Sequence, residues 1–213
     1  MALYSETELD LKAKATVFSL DRNLESSNIA KEISALYLNF CESSKAGKLS
    51  IKPRQITEGV ELRLVFEALC FATFIVSKII PKYISTKKLI KKKIDYGLVR
   101  YYNARLARHL LQLCQDLGMT KLREIVIISP PPETKIKYGD PLHPIARLKK
   151  YSDSYGKKRG TEAQHFGREL SKALDPYHYP ALEGLWQERV TALTKLAEKA
   201  LAEIFKPNVK LKG

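Results

Sequence analysis

Val60–Ile80 reads VELRLVFEALCFATFIVSKII, and 15 of its 21 residues are hydrophobic. Its longest uncharged run extends only from Ala68 to Ser77, between Glu67 and Lys78. A membrane span needs about 18 or more such residues, so a run this short suits a core helix. Apolar residues occupy every side of the helical wheel, the pattern of a helix surrounded by others. The spacing predicts a central helix from about Thr57 to Ile80, which Pro81 ends. Glu67 stands inside the apolar stretch, and Arg63, one turn earlier, supplies an i, i+4 ion pair for it.

The flanking sequence is helical as well. Ser5-Glu6-Thr7-Glu8 has the form of a capping box, with Glu three residues after the Ser. A first helix from Glu6 to about Leu20 places Leu9, Ala13, Val17 and Leu20 on one face. The same segment alternates at Leu9, Leu11, Ala13, Ala15 and Val17, the period of a strand. Its content of Glu, Lys, Ala and Leu favours the helix. Ile29, Ile33, Leu36, Tyr37 and Phe40 mark a second helix, and Ser43–Pro53 with Gly47 reads as a loop. A third long pattern spans about Ser85 to Leu117. Gly118 is placed for a left-handed C-cap, and Met119 for the hydrophobic contact that accompanies it. Ile125–Ile128 is the one β-looking run, too short and isolated to build a sheet. Helices near Thr161–Leu174 and Pro180–Phe205 close the chain. In the last, Leu182, Trp186, Val190, Leu193, Ala197, Ala200 and Ile204 keep 3–4 spacing. The expected fold is all-α, a single domain over residues 1–213. Five to six helices surround a buried helix at about 57–80. A long irregular basic segment, with five of the ten prolines, occupies about 130–160.

A chain of 213 residues can bury about 70% of its unfolded surface, so its core needs no cross-links or metal. The three cysteines, Cys41, Cys70 and Cys114, share no C-x-x-C spacing and sit among apolar residues, as small buried hydrophobes do. Unpaired thiols suit a reducing compartment. The stretch from Met1 to Asp10 lacks the basic and apolar regions of a secretory signal. Both point to the cytoplasm.

Charge is the informative quantity. The net charge is +14. Residues 1–83 carry 11 Lys/Arg against 10 Asp/Glu, and residues 161–213 carry 8 against 7. Residues 84–160 carry 18 against 6, so twelve of the fourteen excess charges fall in the middle third. Two clusters form this excess. Lys87, Lys88, Lys91, Lys92 and Lys93 open the third helical pattern. They leave no single buried stripe, so the helix is expected either to bend near Gly97 or to project into solvent. Arg147, Lys149, Lys150, Lys157, Lys158 and Arg159 lie in the irregular segment, interleaved with Tyr138, Tyr151 and Tyr155. Cations for phosphates and aromatic faces for unstacked bases are what single-strand sites combine. The expected activity is therefore non-catalytic binding of RNA or DNA with little sequence preference. An acidic membrane surface fits less well, because the Lys-rich stretch has no clean apolar face. A helical interaction protein, a homodimer included, is the alternative.

Chemistry beyond binding has little to stand on. Asp140-Pro-Leu-His143 and Asp175-Pro-Tyr-His178 pair two Asp with two His, but Asp-Pro is a common helix entry. Neither shows metal-ligand spacing, so no metal and no cofactor is expected. Arg159-x5-His165 resembles the Arg-x4–6-His motif of HEPN-type ribonucleases, which are small all-α proteins. The resemblance covers these two residues and the helical class, and Gly160 stands where that family usually has a polar residue. It implies an Arg and a His acting together at an RNA phosphodiester. For the binding reading, helix residues are ordered before a ligand arrives, whereas fixing loop residues costs roughly 1–2 kcal/mol each. On that premise, changing Lys88, Lys91 and Lys92 to Ala should weaken binding more than changing Lys150, Lys157 and Lys158.

Overall fold

The computed structural model describes residues 4–26, 28–44, 52–53, 55–84, 94–119, 143–155, 161–175 and 186–206. Within them the chain is all-α: α1 (Glu6–Ser26), α2 (Ile29–Ser44), α3 (Glu58–Ile79), α4 (Pro81–Ile84), α5 (Tyr96–Asp116), α6 (Pro144–Ser154), α7 (Thr161–Leu174) and α8 (Gln187–Ile204). The β-looking run at 125–128 lies outside the described residues.

The start of α1 settles its helix-or-strand ambiguity. The Ser5 amide donates to Glu8 Oε2 at 2.7 Å, and the Glu8 amide donates to Ser5 Oγ at 3.2 Å. This reciprocal box satisfies two amides that the first helical turn would otherwise leave unpaired. Leu9, Ala13, Thr16, Val17, Leu20 and Leu24 then face inward. Thr16 Oγ1 and Tyr102 Oη are 2.8 Å apart, and His109 Nε2 lies 3.0 Å from Asp10 Oδ1. Residue numbers rise along α1 as they fall along α5, so the two helices run antiparallel.

α3 touches every other helical element. Its residues from Leu64 to Val76 are buried except Val65 and Ile75, which are half-buried. By length and composition Glu58–Ile84 could cross a membrane, but 67% of its most apolar window is buried inside the fold. Pro81 ends α3 as expected, and the chain then makes the single turn of α4. Proline suits that first helical position, because its missing N–H would be unpaired there anyway.

Two boundaries depart from the sequence reading. α5 begins at Tyr96, not near Ser85: Asp95 Oδ1 accepts from the Gly97 and Leu98 amides at 3.0 and 3.2 Å. Asp95 is extended, so Lys87–Lys93 precede the helix instead of opening it, and they lie outside the described residues. Residues 130–160 are not irregular throughout, because 144–154 form α6, with Pro144 in its first turn. Pro144, Arg147 and Tyr151 keep 3–4 spacing and are all buried. The Gly/Pro count around them obscures this pattern.

Gly118 has φ +69° and Met119 is buried, the expected left-handed cap and its contact. No atom lies within 4 Å of where a Cβ would stand, so a substitution here tests backbone strain alone. Gly118→Ala should lower stability by about 1 kcal/mol, read as a lower urea midpoint at unchanged slope.

Candidate functional site

Two charged groups that the sequence separates by 80 residues meet inside the fold. Glu67 is fully buried on α3, and Arg147 on α6 is only 1% exposed. Arg147 Nη2 lies 3.0 Å from Glu67 Oε1, and its Nη1 lies 3.0 Å from Glu169 Oε2 on α7. Arg63 Nη2 stands 2.6 Å from Glu67 Oε1 and 3.8 Å from Glu169 Oε2. The i, i+4 pair expected on α3 is therefore present, as half of a quartet of two carboxylates and two guanidiniums. Lys172 adds a partly exposed cation 3.6 Å from Glu169. Tyr151 Oη donates to Glu67 Oε2 at 3.2 Å.

These contacts are close but not well aligned. Glu67 Oε1 and Arg147 Nη1 make no directional hydrogen bond among the described residues, and neither does either Nε. The attraction is mainly Coulombic, in surroundings that screen poorly. Burial would raise the Glu169 carboxyl, yet Arg147, with Lys172, His165 and Arg63, holds it below its usual value. Burial would likewise lower Arg147, but Glu67 and Glu169 outweigh it. Burial and then Glu67 push the Tyr151 phenol well up. Around the quartet, Phe71 stacks on Phe166 at 4.4 Å and meets Tyr151 edge-on at 5.3 Å.

This places the residues singled out from the sequence. Arg147 and Tyr151 are interior groups, not members of a solvent-facing patch. Arg147 is drawn in because the buried acids of α3 and α7 need a cation, and the apolar ring of Tyr151 packs behind it. Lys149 and Lys150 are exposed on the same helix, and Tyr155, just past its end, is exposed with its ring edge-on to Phe74 at 6.2 Å. Lys87, Lys88, Lys91, Lys92, Lys93, Lys157, Lys158 and Arg159 lie outside the described residues. Lys78 Nζ sits 4.0 Å from the Tyr155 ring centroid and 5.0 Å from that of Phe74. Glu169 was not singled out from sequence, because on α7 it looks like one more helix-surface acid.

Of the two residues that carry the resemblance to HEPN-type ribonucleases, Arg159 lies outside the described residues and His165 stands on α7. His165 packs its ring edge-on against Tyr151 at 5.2 Å, and its Nε2 is buried. Burial lowers its proton affinity; Glu169 opposes this, while Arg147, Lys150 and Arg168 add to it. No group of three or more His, Cys, Asp or Glu able to hold a metal occurs among the described residues. The three cysteines are buried, and burial pushes the Cys114 thiol up to about 12. Compared with protein-family models, curated proteins and solved structures, the chain finds no match.

Removing one member of a buried charge set leaves its partner uncompensated. Arg147→Met should therefore cost about 3–5 kcal/mol of stability. Arg147→Lys should recover only part of it, since an ammonium cannot fork to two carboxylates. Denaturant titration of the three proteins reads this directly. Acid should act the same way. His165 binds its proton less readily in the fold than its ordinary 6.5, so stability falls once pH drops below that value. Glu169, held low, extends the loss as pH falls on through its folded value. The early part of the fall, at roughly pH 6, should be missing in His165→Asn.

Proposed function

We propose that the protein binds single-stranded nucleic acid through its phosphates, on the surface formed by the outer sides of α6 and α7. The observation that carries this reading is the division of cations on α6. Arg147 is spent on the interior, which turns Lys149 and Lys150 outward. Lys150 and the exposed Arg168 of α7 both act on His165, so they converge on one region. Tyr155, at the end of α6, is exposed and carries Lys78 against its ring. The excess of twelve positive charges over residues 84–160 supports the same reading. Lysines meet phosphates as point charges, so the binding has little base preference.

Binding to a single-stranded oligonucleotide should weaken with salt at a log–log slope of about −3 to −6, for roughly five to eight neutralised phosphates. Changing Lys149 and Lys150 to Ala should weaken binding and make the slope shallower by about 1–1.5. The same change at Lys195 and Lys199, exposed on α8, removes equal charge and should leave the slope nearly unaltered. No binding at ~50 mM salt would end the reading, since phosphate contacts are strongest there. Equal effects of the two pairs would mean that only net charge matters.

A further inference from the structure

α1 carries a second, unrelated surface. Its core residues Leu9, Ala13, Leu20 and Leu24 occupy one side. At 3.6 residues per turn the opposite side is Leu11, Ala15, Phe18 and Arg22. Leu11 is 62% exposed and Phe18 51%, and the small Ala15 between them is exposed too. Leu11 and Phe18 are two turns apart, so they line one stripe that no other described helix covers.

We propose that this stripe joins two copies of the chain, α1 against α1 in antiparallel orientation about a two-fold axis beside Ala15. The stripe matches itself in that arrangement. With the axis between Lys14 and Ala15, Leu11 of each copy meets Phe18 of the other, and the small Ala15 lets the helices approach. Such a self-complementary patch is what a two-fold interface requires. The charges agree in position. Arg22 of one copy comes level, within one residue, with Glu8 of the other, on the same flank of the helix pair. The interface also lies in the third of the chain whose charge is nearly balanced, with 11 Lys/Arg against 10 Asp/Glu. Two copies can therefore approach here, whereas they repel at the basic middle. Lys14 works against the pairing. Its Nζ lies 6.0 Å from the centroid of the Phe18 ring in its own chain, and the two Lys14 side chains meet near the axis. With four large apolar side chains in all, the interface falls below the standard size for stable complexes, so the dimer is weak and reversible.

Sedimentation velocity on the full chain from ~5 to ~300 µM tests this, a range set by weak, micromolar affinity. A monomer–dimer equilibrium is expected, with a dissociation constant of about 10–100 µM. Phe18→Glu should raise that constant at least about tenfold with helicity unchanged, since the side chain is exposed. Arg22→Glu should weaken the dimer, and adding Glu8→Arg should restore part of the loss once circular dichroism confirms that α1 is intact. Lys14→Ala should tighten it, an effect that general stickiness of an apolar patch does not predict. A monomer throughout the range would overturn the proposal, as would a dimer indifferent to Phe18→Glu or weakened by Lys14→Ala. A segment of the same molecule lying on the stripe would give that first outcome.

Discussion

A carboxylate buried at the centre of the fold must be neutralised, and in this protein Glu67 imposes that condition on everything packed against α3. Transferring a lone carboxylate into such surroundings costs several kcal/mol even after relaxation. Arg63 alone balances one charge at one end of the group. Glu169 arrives from α7, and a second acid there needs a second cation, which Arg147 supplies from α6. The four groups carry no net charge together. Their pairing ties α6 and α7 to α3 by charge, because either carboxylate without a guanidinium beside it would be buried uncompensated. Measured against an apolar replacement, a buried charge set of this kind adds little stability. It penalises any arrangement that separates the four groups, since each would then be buried without a partner.

The same constraint shapes the surface. Arg147 and Tyr151 are one turn apart and point inward, so Lys149, two positions after Arg147, stands on the opposite side, and Lys150, just before Tyr151, stands on the flank; both are exposed. Their exposure is therefore a consequence of the interior, and a change in the quartet would reorient the outer side of α6. His165 connects the two. It borders the quartet through Tyr151 and senses Lys150 and Arg168 from the surface side.

The central helix and the caps were legible because their signals are local. Val60–Ile80 is apolar on every side, Ser5 and Glu8 complete each other's hydrogen bonds, and Gly118 occupies a backbone conformation that other residues avoid. The Arg63–Glu67 pair was legible for the same reason, since one turn of helix separates the two. Glu169 was not, because nothing near it in sequence distinguishes a buried acid from an exposed one. α6 was hidden by composition. Pro144, Arg147 and Tyr151 show helical spacing, but the surrounding Pro and Gly mask it, and without the helix Arg147 looks like a surface cation. Lys87–Lys93 misled in the opposite sense. Periodicity joins them to the following helix, whereas the Asp95 side chain caps the start of that helix after them.

Counting charge along a chain treats every cation as equivalent, and burial separates them. An arginine can be taken inside at tolerable cost because its guanidinium is weakly hydrated and presents a planar fork to more than one carboxylate. A lysine ammonium is compact and strongly hydrated, and it stays outside unless its pKa shifts. Lys78 shows the intermediate case: its ammonium lies over the rings of Phe74 and Tyr155, and burial lowers its proton affinity, which Glu162 partly offsets. Along α6 this chemistry is sufficient to sort one helix into two sides, arginine inward and lysines outward. A count of positive charge along the segment therefore overstates the surface by the cations that buried acids draw inside, here Arg147, while Arg100 and Arg108 stay exposed with the lysines.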